Sequence, residues 1–176
     1  MRCFDLREFG WRPSLPDYRD YSPASVPIDK LLADLRKVAG TSPPRPTSVD
    51  LREYFFSVDD QLGLKTSSAH ACAALVQYFE RRSTGRLLRP SRLFLHRNAL
   101  RLDGDRCDGA VDLRTTLKAM VRCGAPPEEY WPYEVDRINS PPDGFLYSFA
   151  EPYRSAYYVR LDGRLTSGPC SWFPKP

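Results

Sequence analysis

The chain has 176 residues, 41% of them hydrophobic and 27% charged, with 26 basic against 22 acidic side chains for a net charge of +4. That composition suits one soluble globular domain with a sizeable core, and the scattering of basic residues among acids argues against a nucleic-acid partner. No apolar run approaches the ~20 residues a membrane span needs, and the Met-Arg-Cys-Phe-Asp-Leu-Arg-Glu start carries acids where a signal peptide needs apolar residues, so a cytoplasmic protein without a membrane partner is expected. Cys3, Cys72, Cys107, Cys123 and Cys170 are odd in number and contain no C-x-x-C pair, which favours reduced thiols over zinc held by Cys107, Cys123 and a distant histidine. No metal and no cofactor are expected.

Residues 9–21 are aromatic and broken by proline, without a period, so their rings should pack on the domain downstream of them. Pro27 to Ala39 reads as an amphipathic helix: proline suits its first turn, Ile28, Leu31, Leu32, Leu35 and Val38 share one face, and Gly40 stops it. The proline-rich stretch 41–47 is a stiff linker, and a domain boundary is placed after residue 46.

The most informative stretch runs from Asp59 to Arg82. It begins as a loop with Gly63 and continues as a helix with apolar residues at Ala71, Cys72, Leu75, Val76 and Phe79. Thr66, Ser67 and Ser68 stand where an N-cap is needed, and Gly85 closes the helix beyond basic residues. Gln61 lies six residues before Ser67. An amide in the loop and a hydroxyl at the positive end of a helix dipole can face one carbonyl oxygen together.

Downstream, Pro90-Ser91 starts a helix to Arg101 that mixes an apolar face with a basic one, and His96 within it reads as structural. His70, three residues after Ser67, also reads as structural, because both side chains point outward from the helix. Residues 105–110 form a turn into a helix from Asp112 to Cys123, with Leu113, Leu117, Met120 and Val121 as its buried stripe and Gly124 past its end. The aromatic stretch Phe145 to Phe149 has no clear assignment, whereas Ser155 to Leu161 reads as a β-strand.

Taken together, Val49-Asp50-Leu51-Arg52, Gln61 with its six-residue offset and Trp131-Pro132-Tyr133 resemble the first lobe of papain-like cysteine peptidases, especially the bacterial ones. The lead-in Trp11-Arg12-Pro13-Ser14-Leu15-Pro16-Asp17-Tyr18-Arg19-Asp20-Tyr21 is similar to the arm preceding many bacterial members. The resemblance implies an α+β fold of which this chain holds the mainly helical first lobe, with little β-structure and the barrel-like second lobe absent. It implies an N-terminal arm at 1–46, the helical lobe at 47–162 and an irregular tail at 163–176. Gln61 would supply the oxyanion-hole amide, Ser67 would occupy the nucleophile position, and Gly109 with Ala110 would match the loop that binds substrate backbone. The family nucleophile is cysteine; here Lys65-Thr66-Ser67 replaces Gly-Ser-Cys, and no histidine or asparagine follows Arg160. Peptide-bond hydrolysis is the activity implied by the family, and the chain is expected to be inactive by itself. The other reading is a non-catalytic module that binds a peptide or protein in the remnant cleft. Self-association through an exposed lobe face is also expected.

Overall fold

The computed structural model describes residues 14–15, 17–39, 46–105 and 109–161. Among the described residues five α-helices follow one another: α1 (Val26–Ala39), α2 (Ser67–Thr84), α3 (Arg92–Leu102), α4 (Leu113–Cys123) and α5 (Gly144–Ala150). Single 3₁₀ turns stand at Arg52–Tyr54, Val135–Arg137 and Glu151–Tyr153. The chain divides into two compact units. One contains the described residues of Met1–Leu15 and Ser48–Tyr157, and the other those of Pro16–Thr47 and Tyr158–Pro176.

In the larger unit the three long helices end where local chemistry ends them. Ser91 caps α3 by accepting from the Phe94 N–H at 3.2 Å while its hydroxyl donates to the Trp131 carbonyl at 2.7 Å. Asp112 caps α4 through the Thr115 N–H and hydroxyl at 3.1 and 2.7 Å. Gly85 and Gly124 terminate α2 and α4 with φ of 75° and 73°, a region glycine enters without strain. At α2 the expected side-chain cap is absent: Thr66 holds the cap position but spends its hydroxyl on Tyr133 and His70.

The core forms where these helices meet. Ala69, Cys72 and Ala73 of α2 pack with Leu95 of α3, Met120 of α4 and Ala125, flanked by Val76 and Leu117. Leu93 and Phe94 pack with Trp131, Leu146 and Ala150. Helix α3 is buried along almost its whole length, Arg92 included, which corrects the basic outer face expected for it. The α2 face is also corrected. Its small residues are inside, because they let neighbouring helices approach closely, while Leu75 and Phe79 are 44% and 62% exposed. The aromatic stretch without assignment is α5, whose Leu146 and Ala150 are fully buried.

In the smaller unit, α1 buries Ile28 but leaves Leu31, Leu35 and Val38 exposed, so its apolar face is less covered than the pattern implied. The strand expected at Ser155 to Leu161 does not form. Only Val159 pairs, in a single parallel bridge to Tyr21, and the Arg160 N–H donates to the Tyr21 carbonyl at 2.7 Å. β-Propensity needs a neighbouring ladder to be expressed, and the described residues provide none. The enclosed Asp20 carboxylate, 3% exposed, accepts from the Tyr158 hydroxyl at 3.0 Å and faces Arg160 at 3.9 Å. Residues 9–13 and 16 of the aromatic arm, residues 41–45 of the proline-rich linker and the whole tail 163–176 lie outside the described residues.

Candidate active site

Ser67 is the first residue of α2, at the positive end of its dipole. Gln61 opens a tight turn in which the Leu64 N–H donates to the Gln61 carbonyl at 3.0 Å. Leu62 and Gly63 at the turn's centre have φ of 52° and 72°. A leucine in the left-handed region stores roughly 1 kcal/mol of strain, so this loop is held in shape by its surroundings.

Tyr133 does much of that holding. Its hydroxyl lies 3.0 Å from the Gln61 carbonyl oxygen and 2.6 Å from the Thr66 hydroxyl. The loop residue and the helix start are thereby tied to one phenol. On the other side, the buried Ser68 hydroxyl donates to the Val111 carbonyl at 2.6 Å, which fastens the 109–111 segment beside the same helix start. Gly109 is half-buried with φ of 66°, and Ala110 is 4% exposed. All four candidate residues, Gln61, Ser67, Gly109 and Ala110, therefore stand on segments anchored to the N-terminus of α2.

His70 faces inward to a charged cluster. Its Nδ1 is 3.0 Å from the Thr66 carbonyl and 3.3 Å from the Thr66 hydroxyl, and its Nε2 is 3.4 Å from the Arg92 guanidinium. Burial, with the Arg92 cation nearby, holds its pKa below the usual imidazole value. Arg92, 6% exposed, reaches Glu128 at 2.8 Å and Asp59 at 3.1 Å, and its guanidinium lies 4.7 Å from the Tyr133 ring centroid. Arg89 adds a second cation to Asp59 at 2.5 Å, and the Tyr133 N–H donates to Glu128 at 2.9 Å. Sequence reading missed this cluster. The one available signal was an arginine directly after a Pro-Ser helix start in an otherwise apolar segment.

The remaining candidate chemistry is quiet. Cys72 is 1% exposed and burial pushes its thiol up to about 12, so it stays protonated and is no substitute nucleophile. Burial likewise raises Cys123. His96, 3% exposed, is lowered to about 4. Among the described residues no group of three or more histidine, cysteine or acidic side chains is placed to hold a metal, and no helix is long and apolar enough to cross a membrane.

A mainly helical fold with little strand, organised on a helix start that faces an amide-bearing loop, resembles the fold of a cysteine protease. The chain is 26% identical to xylellain, a cysteine protease of Xylella fastidiosa, with a TM-score of 0.63 over 88% of this chain and 58% of that one. It is 29% identical over 165 residues to an uncharacterised peptidase C1-like protein of Acanthamoeba polyphaga mimivirus, matching 89% of this chain and 52% of that protein. It thus spans somewhat more than half the length of the proteins it matches. No family model matches the chain.

Proposed function

We propose that this chain is a papain-like cysteine peptidase relative that carries the nucleophile side of the cleft, with serine in the nucleophile position, and that it does not hydrolyse peptide bonds by itself. The observation that carries the reading is Ser67 as the first residue of α2, with Gln61 six residues before it on a turn tied to that helix start. The chemistry of hydrolysis needs more than this. A hydroxyl must lose its proton to a positioned base before it can attack a carbonyl, and the departing amine must gain one. His70 has Thr66 on one ring nitrogen and Arg92 on the other, and His96 is enclosed in α3. Neither histidine supports a serine–histidine dyad.

What such a site retains is carbonyl recognition. The same engagement of His70 favours the second reading, a non-catalytic module in which an extended peptide lies along Gly109 and Ala110 with one carbonyl toward Gln61. The distinguishing measurement is a broad peptide-substrate assay at neutral and mildly acidic pH on the wild-type chain, Ser67→Ala and Ser67→Cys. No turnover is expected from any of the three, with faster alkylation of the introduced thiol than of a free cysteine, because the helix dipole lowers its pKa. Turnover by the wild type that both Ser67→Ala and His70→Ala abolish would refute the proposal and establish a working dyad.

A further inference from the structure

The hydrogen bonds around Tyr133 admit one arrangement of protons. The Gln61 carbonyl oxygen can only accept, so the Tyr133 hydroxyl donates to it at 3.0 Å. With its single proton spent, the Tyr133 oxygen accepts from the Thr66 hydroxyl at 2.6 Å. Thr66 in turn has no proton left for His70, and its carbonyl accepts only, so the proton between them sits on His70 Nδ1. His70 Nε2 is then a bare lone pair, and it faces an Arg92 N–H at 3.4 Å. The chain of donors runs in one direction, from Arg92 through His70, Thr66 and Tyr133 to Gln61.

Its far end is anchored. Arg92 is held by Glu128 and Asp59, and Glu128 also accepts from the Tyr133 N–H, so both the backbone and the ring of Tyr133 are fixed by one cluster. Burial raises the Tyr133 pKa, so the phenol keeps the proton it donates. The Gln61 turn, with Leu62 at φ of 52°, has little intrinsic reason to keep this shape.

We infer that Tyr133 is a positioning residue: its hydroxyl joins the backbone carbonyl of Gln61 to the hydroxyl of Thr66, the residue before Ser67, and so fixes the backbone from which the Gln61 amide reaches toward the nucleophile position. The inference rests on the reading of Gln61 and Ser67 as oxyanion and nucleophile positions. The effect of Tyr133 on the site passes through Gln61 and Thr66, the two residues its hydroxyl bonds.

The test uses Ser67→Cys in the full chain, where a peptide aldehyde gives a direct measure of oxyanion binding. The thiolate adds to the aldehyde carbon, a C–S bond forms, the C=O π pair moves to oxygen, and that oxygen takes a proton from water to give a hemithioacetal. Iodoacetamide alkylation of the same thiol forms no oxyanion and serves as the control. In this background Tyr133→Phe, which keeps the ring, is expected to weaken aldehyde affinity about tenfold, the scale of a small misplacement of a binding group. Its iodoacetamide rate should stay within about twofold, because the helix dipole acting on the thiol is unchanged. Gln61→Ala should weaken the aldehyde at least as much, and the double variant no further, since both act on one interaction. Thr66→Val should show part of the loss and Thr66→Ser should restore binding. A Tyr133→Phe protein that binds aldehyde normally while Gln61→Ala does not would overturn the positioning role and leave the site reading intact. Normal binding by Gln61→Ala, or no adduct with any variant, would instead overturn the site reading and the inference with it. Equal losses in the aldehyde and iodoacetamide reactions would mark Tyr133 as merely structural and also overturn the inference.

Discussion

Acidification should unfold this protein partly through His96. The imidazole is 3% exposed in the middle of α3, and burial, reinforced by Arg97 and His70, lowers its pKa from 6.5 to about 4. The unfolded chain therefore takes up a proton near pH 6.5, while the folded chain resists until about pH 4. Stability from the neutral ring is fully present above 6.5 and is lost as the pH falls through that window. At about 1.4 kcal/mol per pKa unit, the loss is roughly 2 kcal/mol at pH 5 and roughly 3 kcal/mol below pH 4. Against a typical domain stability of about 5–15 kcal/mol this is a large share. Urea unfolding of the wild type and His96→Gln at half-unit steps from pH 4 to 7.5 isolates it, because carboxylates and His70 titrate in both proteins. The variant should be the less stable of the two at pH 7 and the more stable below pH 5, and an NMR titration of the wild-type ring should show no midpoint above pH 5. Parallel stability curves for the two proteins, or a ring that titrates near 6.5, would refute the reasoning.

Two further outcomes rest on packing. A Cβ on Gly124 would stand 2.1 Å from the Ala150 carbonyl oxygen, so Gly124→Ala should cost about 2–4 kcal/mol in denaturant unfolding; a loss below about 1 kcal/mol would contradict that contact. Leu75 and Phe79 are exposed on α2, and an apolar stripe of this kind favours association, so sedimentation at increasing concentration should show the chain self-associating and Phe79→Asp shifting it toward monomer; a wild type that stays monomeric throughout would refute this.

The elements legible in the sequence are those whose signals are local. Ser91 and Asp112 are caps, Gly85 and Gly124 are stops, and each acts within one turn of its own helix. The misreadings concern partners. Leu75 and Phe79 look like the inner face of α2 because they are large, yet close helix contact selects the small Ala69, Cys72 and Ala73. The apolar run at Ser155 to Leu161 has strand propensity but pairs only through Val159, and α5 is too short, at seven residues, for a period to show. At the candidate site the Gln61-to-Ser67 spacing was readable because both residues lie in one segment. The phenol that ties the Gln61 turn to Thr66, just before Ser67, comes from 72 residues beyond Gln61, which no local pattern reveals.

The buried charges bear on how so distant a residue would act on the proposed site. Enclosing a cation with two carboxylates rarely adds net stability, since desolvation offsets most of the attraction, and an apolar trio of similar volume serves the core as well. What the cluster does provide is direction. Asp59 precedes Gln61 by two residues in the strained loop, Glu128 holds the Tyr133 backbone, and His70 stands three residues after Ser67. Arg92 meets all three from α3, the most enclosed helix of the larger unit. An apolar replacement would fill the same volume while letting loop, turn and helix settle independently, because dispersion contacts carry no preferred orientation. The cluster's contribution is therefore geometric: one rigid, planar cation with fixed donor directions places the three segments that meet at the start of α2, where the carbonyl-binding site is proposed.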